Sequence, residues 1–243
     1  MTNRTERANM PRRRDYRRRP VIAAVLFAAL GLARAQDAGT RDWQFLVPGS
    51  YHGGEAPAEP GQGWLALDVV GGRWHLVPAK VRAERVHDPV TDGSEDEKTG
   101  ILVASDRPAA LVLLRLPRLR AGKVDTPDMK FRGPPRALRQ GAALDIAFKS
   151  ERWRLAVENE TIVLMRGAQR QPLAGIGVSA DQSSDWSHSA TLLWAGDLDG
   201  DGALDLVIGH ETYNNGGTCL YLSSAARAGE PLVPVACQNW SGC

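Results

Sequence analysis

Past residue 36 the chain alternates short runs rich in Val, Leu, Ile and Trp with clusters of Gly, Pro, Asn and Asp, the punctuation of β-strands. The pattern predicts strands over 43–47, 64–70, 74–77, 80–86, 101–104, 110–116, 144–148, 152–157, 161–166, 191–195, 204–208, 218–222 and 232–236. Gly71-Gly72 predicts a tight hairpin turn, and Asn159-Glu160 a second one. No segment after residue 36 sustains a 3.6-residue apolar stripe over three turns, so at most a short helix is expected, near 223–227. The fold class is therefore mainly β: an antiparallel β-sandwich or partial propeller-like sheets with few short helices.

Two charged loops interrupt this pattern. One is acidic, at 91–100, with Asp92, Glu95, Asp96 and Glu97; the other is basic and Pro-rich, at 125–140, with Lys130, Arg132, Arg136 and Arg139. Both read as solvated surface loops. The second also marks a boundary between a β unit at 36–125 and another at 141–243, unless 36–243 is one continuous domain. No internal repeat is visible.

Residues 1–35 have a different texture. Eight Arg crowd the first twenty positions, and an uncharged run from Val21 to Ala33 ends in Ala33-Arg34-Ala35, the three-part order of a signal peptide cleaved near Ala35. The apolar run is too short for a membrane span, which takes about 20 residues, so no stable span is expected after cleavage. Arg13-Arg14-Asp15-Tyr16 distantly resembles a twin-arginine signal, and both the Sec and twin-arginine routes stay open. The expected location is periplasmic or secreted.

This division changes the meaning of the net charge of +2. The leader holds nine Arg and two acids, which leaves 21 bases against 26 acids in residues 36–243, a net of −5. Nucleic acid is thereby disfavoured as a partner, because phosphate binding needs a basic surface. At 43% apolar and 24% charged residues the chain is ordinary globular protein. Its three cysteines, Cys219, Cys237 and Cys243, predict one disulfide in an oxidising compartment. A hairpin of 218–223 with 232–238 brings Cys219 near Cys237, while bonds to Cys243 remain open.

The chemistry concentrates at 197–205. Asp197, Asp199, Asp201 and Asp205 occupy positions 1, 3, 5 and 9 of one loop, with Gly200 and Gly202 between them and an apolar strand on each side. Four acids so close repel one another unless a cation joins them. Calcium suits the spacing, since it takes six to eight oxygens in loose geometry, here the four carboxylates and a backbone carbonyl near Ala203. A helix-flanked calcium hand would need Glu at position 12, where Ile208 stands. The pattern Gly-Asp-x-Asp-x-Asp-Gly-x-x-Asp-Leu-Val-x-Gly instead resembles the calcium loop of FG-GAP/VCBS-type repeats, over some 30 residues, 191–222. That resemblance implies a loop between two antiparallel strands of one blade, with Asp197, Asp199, Asp201 and Asp205 binding calcium. The loop occurs once in this chain.

Catalysis has a weaker footing, and no catalytic residue is assigned. Gly177-Val178-Ser179-Ala180-Asp181 departs from the Gly-x-Ser-x-Gly elbow at its last position, with His188 and Asp185 nearby. His210 follows the acidic loop closely enough to be a candidate for supporting a ligand. The seven Trp read as core anchors, with sugar stacking as the alternative. The expected function is that of an exported calcium-binding β protein, with a structural calcium loop and a binding or structural role at the cell envelope. Its expected partner is a protein or glycan there. The alternative is a calcium-stabilised extracytoplasmic hydrolase.

Overall fold

The computed structural model describes residues 44–127, 136–181 and 187–242. The leader, Trp43, Lys130, Arg132, Asp185, Trp186 and Cys243 lie outside the described residues. The first half contributes β1 (Phe45–Leu46), β2 (Gly49–Tyr51), β3 (Trp64–Val70), β4 (Arg73–Ala79), β5 (Val81–Val86), β6 (Gly100–Ser105), β7 (Val112–Leu114) and β8 (Gly122–Lys123). The second contributes β9 (Arg136–Leu138), β10 (Ala143–Phe148), β11 (Glu151–Glu158), β12 (Thr161–Arg166) and β13 (Gln169–Gly177). It ends with β14 (Ser189–Gly196), β15 (Asp205–Glu211), β16 (Asn215–Leu222) and β17 (Val233–Ser241). The expected short helix is a single 3-10 turn, Ser223–Ala225.

The strands form four open antiparallel sheets: β1-β7-β3-β4-β8, β2-β6-β5, β10-β11-β12-β13 and β17-β16-β15-β14-β9. Side-chain alternation then decides how the sheets stack, because successive residues of a strand face opposite sides. In β15, Leu206 and Ile208 enter one core with Trp153, Leu155 and Leu164 of the β10–β13 sheet, whereas Val207 enters another with Phe45, Leu67 and Leu114. β16 repeats the division, Cys219 and Tyr221 on one side, Leu220 and Leu222 on the other. The β14–β17 sheet is thus buried on both faces. The sheet around β3 is likewise two-sided, since Leu46, Ala66 and Leu113 pack with Tyr51, Ile101 and Val103 of the three-stranded sheet. The result is a mainly β stack of four layers.

All the described residues belong to one compact unit, Ala38–Cys243, and the middle core draws on both sides of the basic connection. A bulge serves this packing. The β14–β15 register shifts between Leu192 and Trp194, so that Leu192 and Ala195 face the first core while Trp194 turns into the second.

Gly71-Gly72 joins β3 to β4, and Asn159-Glu160 joins β11 to β12 with φ of 47° and 63°, the left-handed pair a two-residue hairpin requires. β13 carries no apolar signal comparable to its neighbours and contains Pro172, which an edge strand tolerates because one side of it makes no ladder bonds. β9 lies in the basic connection and pairs with β14 at an edge of the β14–β17 sheet. Cys219 and Cys237 sit opposite each other in β16 and β17 and form a disulfide, with Cα atoms 4.1 Å apart. Of the described Trp, Trp64, Trp153 and Trp194 are buried, and Trp74 and Trp240 pack half-buried against cores.

Candidate metal centre

The loop from 197 to 205 connects β14 to β15, the central hairpin of the doubly buried sheet. Its two leucines fasten it to both cores. Leu198 (3% exposed) packs into the core shared with the first half, and Leu204 (0%) into the core shared with the β10–β13 sheet. Between these anchors the chain turns tightly, with Gly200 and Gly202 at φ of 78° and 90°, a region costly for side chains bearing a Cβ. Where the loop begins, Asp197 N–H donates to Asp125 O at 2.8 Å. A Cβ on Gly196 would lie 2.5 Å from that same carbonyl, so the close approach excludes any larger residue.

This folding brings three carboxylates together. Asp197, Asp199 and Asp205 each offer an oxygen within 4.8 Å of the others, an arrangement that could hold a metal ion. Asp205 is fully buried; its Oδ2 accepts the Leu198 N–H at 2.7 Å, and its Oδ1 accepts the N–H and hydroxyl of Ser223 at 2.8 and 2.9 Å. Burial pushes its carboxyl up to about 7 despite those bonds, and Asp199 adds to the rise. Asp197 accepts the N–H groups of Gly200 and Gly202 at 2.8 and 3.0 Å. Asp199 Oδ2 accepts the Ser224 hydroxyl, while its Oδ1 is buried without any hydrogen-bond partner. An orphaned buried carboxylate oxygen on a member of this triad fits a hard cation, because it offers negative charge and a free lone pair that the protein itself does not use.

The remaining predicted residues fall around this group. Asp201 is exposed, and its carboxylate accepts the Ser223 hydroxyl and the Ala203 N–H rather than joining the three. Ala203 stays in the loop beside it. His210 lies five residues along β15, about 17 Å from Asp205 at the rise of a strand, so it cannot support a ligand. It is instead half-buried beside Asn239, and burial lowers its pKa. Ser179 and His188 do meet, but through a ladder-like exchange: Ser179 N–H donates to His188 O, and the Ser179 hydroxyl accepts the His188 N–H at 2.7 Å. They splice the end of β13 to the start of β14, a strand-to-strand passage.

Three contributors were not foreseen. Ser223 and Ser224, at the end of β16, hold three of the four acids. Their position at the start of the short helix expected near 223–227 was the available signal, since Ser at such a start offers both N–H and hydroxyl. The third is Lys149, whose Nζ lies 2.9 Å from Asp197 Oδ2. Compared with known proteins, the chain matches no family model, no curated protein and no solved structure.

Proposed function

We propose that this is an exported calcium-binding β protein whose metal rigidifies the loop from Asp197 to Asp205, and that it acts as a binding or structural module at the cell envelope. The orphaned, buried Oδ1 of Asp199, a member of the triad, carries this reading. The FG-GAP/VCBS-like spacing supports it, and oxygen-only donors favour calcium over softer metals. The disulfide supports an oxidising compartment. No helix among the described residues is long and apolar enough to cross a membrane. Bound there, the cation would neutralise carboxylates that otherwise repel. The chain's own part is to present them: Leu198 and Leu204 fix the loop ends, and Ser223 and Ser224 orient the side chains.

An extracellular structural site needs an affinity on the order of 10⁻⁴–10⁻³ M. At about 10 mM calcium this stabilises the fold by roughly 1.4–2.7 kcal/mol. For a domain of this size the melting temperature rises by roughly 3–10 °C. Thermal melts of chelator-treated protein with and without calcium test this directly. Asp199→Ala combined with Asp201→Ala is expected to abolish the rise, and a wild-type melt indifferent to both calcium and chelator sinks the reading. A pull-down from an envelope extract, with and without calcium, tests the module role.

A further inference from the structure

The triad is not bare, because a cation from another sheet already touches it. Lys149 occupies the tip of the β10–β11 hairpin, between the paired residues Phe148 and Glu151, with φ of 51°. Its ammonium sits 2.9 Å from Asp197 Oδ2, 5.0 Å from the centroid of the Phe148 ring, and 3.7 Å from where a Cβ on Gly202 would stand. One carboxylate and one aromatic face thus flank it, while the Lys149 side chain stays 42% exposed. The Asp197 side chain is 6% exposed, so its negative charge is sheltered from water at the point of contact.

We infer that Lys149 is a tethered counter-cation that competes with the metal for Asp197 and sets the site's affinity low. The inference rests on the calcium reading of the loop. A divalent ion taking up Asp197 must break the ammonium–carboxylate pair, and it then leaves a like charge a few ångströms away. Without metal, the same ammonium offsets part of the triad's repulsion and keeps the loop in shape. Lys149 therefore holds the metal-free fold together at the expense of metal affinity, and the loop fills only where calcium is abundant.

Calorimetric titration of the chain with calcium chloride, using wild type, Lys149→Met and Lys149→Arg, tests this. Met keeps the length of the side chain and the same left-handed backbone demand, but it carries no charge and no donor. Lys149→Met is expected to bind calcium about ten-fold more tightly than wild type, and Lys149→Arg within about two-fold of it. In chelator, Lys149→Met should melt roughly 2–4 °C below wild type, and saturating calcium should erase the deficit. A wild type blind to calcium removes the calcium reading and the inference with it, even beside a Lys149→Met that binds. Equal or weaker binding by Lys149→Met overturns the inference while the calcium reading stands. Lack of binding by wild type and variants alike removes the calcium reading and the inference with it. The melts in chelator are read separately: a Lys149→Met as stable as wild type refutes the counter-cation role.

Discussion

The loop at 88–99 and the loop at 197–205 both gather acids, and they treat the charge in opposite ways. In the first, every acid that the fold shelters is answered by donors. Asp88 accepts the N–H groups of Val90 and Thr91 and pairs with the His52 ring at 2.6 Å; Asp92 accepts the N–H groups of Asp88 and Thr99 and the Thr99 hydroxyl. Burial alone would raise both carboxyls, but these bonds outweigh it, and Asp88 is drawn down to about 2. In the second loop burial wins at Asp205, and Asp199 keeps an unpartnered buried oxygen. Acidic composition is therefore a poor guide to a metal site. Convergence with unfilled acceptor capacity is the feature that separates them.

The largest test of this contrast is Asp205→Ala. Its carboxylate is the buried acceptor for the N–H groups of Leu198 and Ser223, and truncation strands both. Each stranded group costs about 1–3 kcal/mol, so a loss of about 3 kcal/mol is expected in denaturant titrations, with chelator present as well as with calcium. A loss under about 1 kcal/mol means that the loop is not organised through Asp205 and that the two acidic loops are alike.

Much of this was legible in the order of residues. The runs at 64–70 and 161–166 are strands with the predicted bounds, because each alternates or clusters apolar side chains between turn signals. The four Asp at positions 1, 3, 5 and 9 marked the loop because the pattern is local. β13 escaped because Gln169–Gly177 is an edge strand with a Pro inside, and only Leu173 and Ile176 among its polar and small residues enter the core. The stacking of sheets was not legible: it depends on which face of β15 meets which distant strand. Lys149 escaped for the same reason. It stands 48 positions from Asp197, and only the packing of the β10–β13 sheet on the β14–β17 sheet aims it there.

A smaller effect comes from breaking the first loop instead. Asp92→Ala removes the acceptor for Asp88 N–H and Thr99 N–H in a loop otherwise exposed, where water can replace a lost partner. The expected cost is about 1 kcal/mol, seen as faster hydrogen exchange over 88–99. The calcium-induced rise in melting temperature should match that of wild type. A diminished calcium response in Asp92→Ala would show that the acidic loop at 88–99 contributes to metal binding and that the two loops do not differ in this respect.

The smallest expected effect concerns the His52–Asp88 pair of the first loop. The Asp88 hydrogen bond raises the pKa of His52 above its ordinary 6.5, with further support from Glu55 and from the Ser241 backbone. Because the folded value is raised, the stabilisation from charged His52 is fully present below pH 6.5 and is lost as pH rises through the raised value. The Asp88 contribution has the opposite sense: it is present above the ordinary carboxyl value of 3.8 and is lost as pH falls through about 2. The clamp is therefore strongest between roughly pH 4 and 6.5. An NMR titration of the His52 ring should give a midpoint above 6.5, and Asp88→Asn should lower it. Calcium should leave both midpoints unmoved, since the pair belongs to the loop that answers its own charge. A His52 midpoint at or below 6.5 in wild type would mean that Asp88 is held by backbone N–H groups alone.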